Sequence, residues 1–211
     1  MFIRSERLFL RPIWPEDWQA LHAGIADEQV VRNLALAPWP YTEADARAFA
    51  ALPENPRFPR SAIVAPHGAD GERVIGCVGL HEPERIAEGE AILGYWIAQP
   101  HWGHGYATEA GRSMLTLARM LGHRRIVANH FLDNPASGKV LERLGFRATG
   151  DVELQHSAAR GEKALAMRHV LELDVPDGDS DDEGGMGRGG TGRGGTGPGT
   201  SGHRRPAALA A

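Results

Sequence analysis

Two glycines flank a histidine in QPHWGHGYATEAGRSM, residues 99–114. Gly103 and Gly105 follow a short apolar run, AILGYWIA, and precede a segment whose apolar residues recur at helical spacing. Glycine is favoured where the backbone turns sharply or approaches another group closely. Because the first turn of a helix has unpaired amides and the positive end of the dipole, such a turn can bind a phosphate. A tight turn that binds nothing is the alternative, and only the wider chain decides between them.

The elements around this turn predict a mixed sheet with helices packed against it. The short apolar run at 91–98 is typical of a buried strand, and the following segment predicts a helix from about residue 106 to 121. NPASGKVLERLGF predicts a second helix, capped by Asn134 and ended by Gly145. Along the chain the predicted order is strand, two helices, three strands, helix, strand, helix and two strands. We therefore assign the α/β (α+β) class.

Composition divides the chain and excludes several classes of function. Residues 1–173 have the size of one domain, whereas residues 174–211 contain twelve glycines and no aromatic residue and are predicted to be a disordered Gly-rich tail. The net charge of −4 gives no basic face for nucleic acid, and no apolar run approaches the ~20 residues of a membrane span. The single cysteine, Cys77, permits no intrachain disulfide and no cysteine cluster for a metal. We expect a cytoplasmic protein without a metal.

The motifs LGYWIAQPHWGHGYATEA and NPASGKVLERLGF, in this order of elements, resemble the GNAT superfamily of acyl-CoA-dependent N-acyltransferases. LFLRP near the N-terminus is similar to its ribosomal-protein-alanine acetyltransferase branch, the RimJ/RimL-like enzymes. The resemblance covers about residues 4–172. It implies a mostly antiparallel sheet of about seven strands flanked by about four helices.

The resemblance also implies a function. It is transfer of an acetyl group from acetyl-CoA to a primary amine, either a protein N-terminus or a small molecule. A non-catalytic acyl-CoA-binding module and an acetyltransferase that detoxifies an amine drug or polyamine are the alternatives. The resemblance leaves open a homodimer.

The resemblance assigns the glycine turn to the pyrophosphate of CoA. The family pattern Q/R-x-x-G-x-G/A begins here at Pro100, and the usual Lys or Arg between the glycines is His104. Fixed positive charge is therefore missing from the loop, and we expect its backbone amides to bind the phosphates. These belong to Trp102, Gly103, His104, Gly105, Tyr106 and Ala107. The resemblance further implies that strand 91–98 separates from the next strand, so that backbone groups of Ile97 and Ala98 pair with the pantetheine arm.

The second motif concerns the leaving thiolate. Many members of the superfamily protonate it with a tyrosine at a position that is Leu141 here. The branch instead carries N-x-x-S, which corresponds to Asn134 and Ser137. By resemblance Asn134 holds the CoA arm and the Ser137 hydroxyl faces the sulfur. The alternative is that Asn134 only caps the helix and Ser137 is an ordinary first-turn residue.

The general base is the least determined group. Branch members often carry Glu at the position of Ile92, and Glu90 lies two residues earlier on the same strand face, so Glu90 is our candidate. A water chain is an alternative, and the other side chains that remain open as bases are His81, Glu82, His130, Glu153 and His156.

Overall fold

The structure is a computed structural model that describes residues 1–66, 72–83 and 89–174. Nearly all of the predicted Gly-rich tail, residues 175–211, lies outside the described residues. The described residues include all the elements that the sequence predicts for the domain.

Within these ranges, eight strands form one sheet in the order β1-β2-β3-β4-β5-β6-β8-β7. All neighbouring strands are antiparallel except β5 and β6, which are parallel. The strands are β1 Ile3–Arg4, β2 Phe9–Pro12, β3 Arg60–Pro66, β4 Glu72–His81, β5 Glu90–Ile97, β6 Arg125–Phe131, β7 Arg147–Ser157 and β8 Glu162–Glu172.

Five α-helices accompany this sheet in the described part of the chain: α1 Trp18–Ile25, α2 Glu28–Val31, α3 Glu43–Ala50, α4 Tyr106–Met120 and α5 Pro135–Arg143. The mixed, mostly antiparallel fold that we expected is confirmed, with one more strand and one more helix. The additions are β1 and α2, which have two and four residues and are too short to produce a periodic pattern. No helix in the described ranges is long and apolar enough to cross a membrane.

Strand β5 is buried on both faces, which explains its continuous apolar run. Leu93, Tyr95 and Ile97 lie in the core formed with α4 and α5. Trp96, the next residue on the opposite face, lies in the core formed with α1–α3. The two faces of the sheet therefore have separate hydrophobic cores, and β5 belongs to both.

Strands β5 and β6 are paired only at their beginnings. Residues Glu90–Ile92 pair with residues 125–127, and beyond Ile92 the two strands separate. Strand β6 stays paired with β8 along its whole length. Because α4 and α5 each follow one of these strands, both helices begin at the open end of the separation.

A glycine holds α5 close to β6. A Cβ atom on Gly138 would lie 2.9 Å from the Nε2 atom of the buried His130, so any side chain there would push the helix away. The first turn of α5, which contains Ser137, is thereby kept close to the sheet.

Candidate active site

A cleft of about 300 Å³ occupies the separation between β5 and β6. Its walls come from the end of β5, the glycine turn, the first turn of α4, helix α5, and Val30, Asn33 and Leu34 of α2 and the turn after it. The residues from these elements include Tyr95, Trp96, Ile97, His101, Trp102, Gly103, Gly105, Tyr106, Ala107, Thr108, Asn134, Ala136, Ser137, Lys139, Val140 and Arg143. Except for Ala98, His104 and Glu90, every site residue that the sequence predicted lies in this wall.

The expectation for Ala98 is wrong. Its amide donates to the carbonyl of Ile75 at 2.8 Å, and its carbonyl accepts from the His101 amide at 2.9 Å, because pairing with β4 continues one residue past the strand end. Since hydrogen-bonding direction alternates along an antiparallel strand, the backbone groups of Tyr95 and Ile97 then face the open edge. The Ile97 carbonyl already accepts from the Trp102 indole at 2.6 Å, which leaves the amides of Tyr95 and Ile97 and the carbonyl of Tyr95 as the open groups.

The glycine turn has the backbone of an anion site. Gly103 and Gly105 both have φ of +79°, the left-handed conformation that glycine adopts at no steric cost. Within the described part of the chain, the amides of residues 103–107 donate to no protein acceptor, whereas the Trp102 amide donates to Gln99. The amides expected to bind phosphate are thus open from Gly103 onward. The Trp102 indole donates to the Ile97 carbonyl and so holds the turn against β5.

Thr108 is a residue that the sequence analysis did not single out. Its side chain is buried (6% exposed), and its Oγ1 atom has no hydrogen-bond partner in the structure although it lines the cleft. A buried hydroxyl without a partner is costly. This orphaned donor beside the open amides indicates a polar ligand at the start of α4.

Positive charge reaches the turn from elsewhere in the chain. Arg7 donates from Nη1 to the His104 carbonyl at 3.0 Å, and its Nη2 atom lies 2.7 Å from Glu109 of α4. The imidazole of His104 stacks on Tyr106 and is not part of the cleft wall. Arg7, whose charge is balanced by Glu109, holds the turn from behind, and Lys139 and Arg143 of α5 supply positive side chains in the cleft wall.

The N-x-x-S motif begins α5 beside this cleft. The Oδ1 atom of Asn134 accepts from the Ser137 amide at 3.3 Å, so the predicted helix cap is confirmed. Ser137 is 6% exposed, and its Oγ atom lies 2.8 Å from the hydroxyl of Tyr95. Leu141 is fully buried in the core. The alternation of β5, which turns Tyr95 toward the α5 face, is the sequence signal that could have identified this tyrosine.

The candidate base Glu90 lies away from this pair of hydroxyls. Five residues of strand separate it from Tyr95, a distance of about 16 Å. Its side chain is mostly buried, with Arg168 Nη2 at 3.4 Å. Glu90 and Ile92 share the face of β5 that carries Trp96, opposite to Tyr95.

His81 is the cross-strand partner of Ile92 on that face. Burial lowers the pKa of His81 to about 4, helped by the nearby charge of Arg60, so the imidazole is neutral at physiological pH. Its Nε2 atom has no hydrogen-bond partner in the structure. His81 is thus neutral, and its lowered pKa makes it a weaker proton acceptor than an ordinary histidine.

Comparison with known proteins agrees with this geometry. Residues 7–147, more than half of the chain, match the acetyltransferase (GNAT) domain family. The chain belongs to the GNAT acetyltransferase family. This GNAT protein is 32% identical over 155 residues to the uncharacterized N-acetyltransferase YoaA of Bacillus subtilis, covering 70% of this chain and 84% of YoaA.

Two solved structures share the fold of this GNAT protein. One is the microcin C7 self-immunity acetyltransferase MccE in complex with acetyl-CoA and AMP, with a TM-score of 0.65, 18% identity, and coverage of 80% of this chain and 94% of the other. The second is RimL, a ribosomal L7/L12 α-N-protein acetyltransferase, in complex with coenzyme A. It has a TM-score of 0.65 and 19% identity, and the match covers 83% of this chain and 99% of RimL. The family assignment makes this GNAT protein an acetyl-CoA-dependent acyltransferase.

The residues of the cleft fit acetyl-CoA. Open amides and the orphaned Thr108 hydroxyl match the acceptor oxygens of a diphosphate at a helix N-terminus. The open edge of β5 matches an extended arm that carries amide groups. Lys139 and Arg143 add positive charge along the α5 wall.

We predict that Thr108→Val weakens acetyl-CoA binding about 10- to 100-fold, the value of one hydrogen bond to a charged acceptor. Valine keeps the shape and removes an orphaned buried hydroxyl, so the ligand-free protein should melt at the same or a higher temperature. Calorimetric titration and thermal melting measure the two effects.

Thr108→Ser keeps the hydroxyl and is the matched control, with affinity close to that of the parent. Parental affinity in Thr108→Val would exclude a ligand bond at this hydroxyl.

Proposed function

We propose that this enzyme transfers the acetyl group of acetyl-CoA to a primary amine, at a protein N-terminus or on a small molecule, as a RimJ/RimL-like GNAT. The observation that carries the proposal is the buried Ser137 hydroxyl at the start of α5, beside the open edge of β5. The N-x-x-S and LFLRP motifs support the assignment to this branch. A fold neighbour, RimL, is named as an N-terminal protein acetyltransferase, which is consistent with such an acceptor.

Binding is divided among three elements. The amides of residues 103–107 and the Thr108 hydroxyl hold the phosphates, with the dipole of α4 behind them. The amides of Tyr95 and Ile97 hold the pantetheine arm. Asn134 Oδ1 is occupied as a cap, so its amide nitrogen is the group available to the arm.

Acetyl-CoA supplies an activated acetyl group as a thioester. Ser137 donates its hydroxyl proton toward the sulfur as the carbon–sulfur bond breaks, which avoids release of a free thiolate. Asn134 fixes the position of Ser137 through its amide. Leu141 fills the core where other members of the superfamily carry a tyrosine, so the hydroxyl of this turn takes over the role of acid.

Glu90 accepts the proton of the attacking amine. Since it lies about 16 Å along the strand from Tyr95, the proton reaches it through ordered water. Water relay is sufficient for N-terminal amines, whose pKa of about 8 leaves a part of them neutral at physiological pH. His81, which is neutral and has no hydrogen-bond partner at Nε2, is the competing acceptor on this face.

We predict that Ser137→Ala lowers kcat about 100-fold, the lower end of the usual contribution of a general acid. The affinity for acetyl-CoA should stay within about twofold, because the glycine turn remains. A thiol-release assay with acetyl-CoA and a panel of N-terminal peptides and small amines first identifies an accepted amine. The value of kcat is then measured with that amine for the parent and the variant.

Ser113→Ala is the matched control, since the Ser113 hydroxyl bonds only to the Glu109 carbonyl of its own helix. A chemical step as fast in Ser137→Ala as in the parent, measured in a single turnover, would contradict the proposed acid. No thiol release with any amine would contradict the proposed acceptor class.

A separate prediction concerns the base. Glu90→Gln should lower kcat at least about tenfold, because it removes the proton acceptor, whereas His81→Gln should leave kcat within about twofold. Arg168→Met is the control, because it breaks the ion pair at Glu90 but keeps the carboxylate. An equal loss in Arg168→Met and Glu90→Gln, or a larger loss in His81→Gln, would show that Glu90 is not the base.

A further inference from the structure

We infer that Tyr95 is the positioning residue of the acid Ser137: its phenol donates to Ser137 Oγ, directs the serine hydrogen at the CoA sulfur and stabilises Oγ as that hydrogen leaves. The inference rests on the acid role of Ser137 proposed above. It adds a side chain from β5 to a motif that lies entirely on α5.

The contact consists of two hydroxyls and one carbonyl. Tyr95 Oη lies 2.8 Å from Ser137 Oγ and 3.3 Å from the carbonyl oxygen of Ser137. Both side chains are 6% exposed and both line the cleft. The two hydroxyl hydrogens therefore have few partners other than each other, this carbonyl and a ligand in the cleft.

Two hydrogen-bond arrangements satisfy this geometry. In the first, Tyr95 donates to the Ser137 carbonyl and Ser137 donates to Tyr95 Oη, which leaves no hydrogen for the cleft. In the second, Tyr95 donates to Ser137 Oγ, and the serine hydrogen is free. Because hydroxyl hydrogens rotate readily, the two arrangements interconvert without movement of heavy atoms.

Charge developing on the sulfur selects the second arrangement. The serine hydrogen turns toward the negative sulfur, and Tyr95 is then the protein donor within reach of Ser137 Oγ. Burial raises the pKa of Tyr95 to about 12, so the phenol keeps its proton at physiological pH and stays a donor. A hydrogen bond in such a buried place is stronger than one in water.

The proton balance requires no further reagent. The amine nitrogen forms a bond to the acetyl carbon, the carbon–sulfur bond breaks with its electron pair on sulfur, and sulfur takes the proton of Ser137. The amine gives its excess proton to the base and from there to water, and water returns one proton to Ser137 Oγ. Tyr95 keeps its proton throughout and acts only by hydrogen bonding.

The role of the Tyr95 hydroxyl can be tested without changing the packing of the ring. The ring packs in the core with α4 and α5, and phenylalanine fills the same volume. Tyr95→Phe therefore removes the hydrogen bond and keeps the packing. If the hydroxyl were purely structural, its removal would change the melting temperature and the rate equally with and without the Ser137 hydroxyl. The test therefore compares the effect of Tyr95→Phe in the two backgrounds.

The experiment is a double-mutant cycle with the parent, Tyr95→Phe, Ser137→Ala and the double variant. Acetyl transfer is measured in a single turnover, and acetyl-CoA affinity and melting temperature are measured on all four proteins. We expect Tyr95→Phe to slow transfer about tenfold, the effect of one hydrogen bond, with unchanged acetyl-CoA affinity. In the Ser137→Ala background the same change should have no further effect, because the group that Tyr95 acts on is gone.

The outcomes separate this inference from the proposed function. A slow Ser137→Ala variant with a parental rate in Tyr95→Phe overturns the role of Tyr95 alone. An equal slowing by Tyr95→Phe in both backgrounds also overturns it, since Tyr95 would then act independently of Ser137. A parental rate in Ser137→Ala overturns the acid itself and, with it, this inference.

Discussion

The separation of β5 from β6 after three paired residues is the constraint on which the rest of the site depends. It exposes backbone groups of a buried strand that would otherwise be used within the sheet. It also brings the N-termini of α4 and α5 to one place, because each helix follows one of the two strands. Unpaired amides, a helix dipole and the Ser137 hydroxyl thereby line a single cleft.

The turn at the start of α4 offers open backbone amides rather than charged side chains. Its residues carry no lysine or arginine, and the imidazole of His104 lies on Tyr106 outside the cleft wall. Arg7, in the turn between β1 and β2, holds the His104 carbonyl and Glu109 together. The turn between β1 and β2 therefore supports the glycine turn although the two lie far apart in sequence.

Local signals in the sequence predicted the elements and the position of the turn. The apolar run at 91–98, the cap Asn134 and the glycines of the turn all depend on residues within a few positions of one another. The contacts that were missed join distant segments. Arg7 meets Glu109, Tyr95 meets Ser137, and Ala98 is bound to Ile75, so that one predicted free strand group is in fact paired. Each of these pairs depends on how segments far apart in sequence pack together, and the last depends also on how far β4 and β5 stay paired. The local sequence gives at most the face on which a side chain such as that of Tyr95 lies.

The central claim is that acetyl-CoA binds along the open edge of β5, and residue-resolved amide hydrogen exchange tests it most directly. With saturating acetyl-CoA, the account predicts slower exchange at the Tyr95 and Ile97 amides and at residues 103–107. The Ala98 amide, already bonded to Ile75, is the internal control and should change little. Unchanged exchange at Tyr95 and Ile97 in the saturated protein would contradict the account.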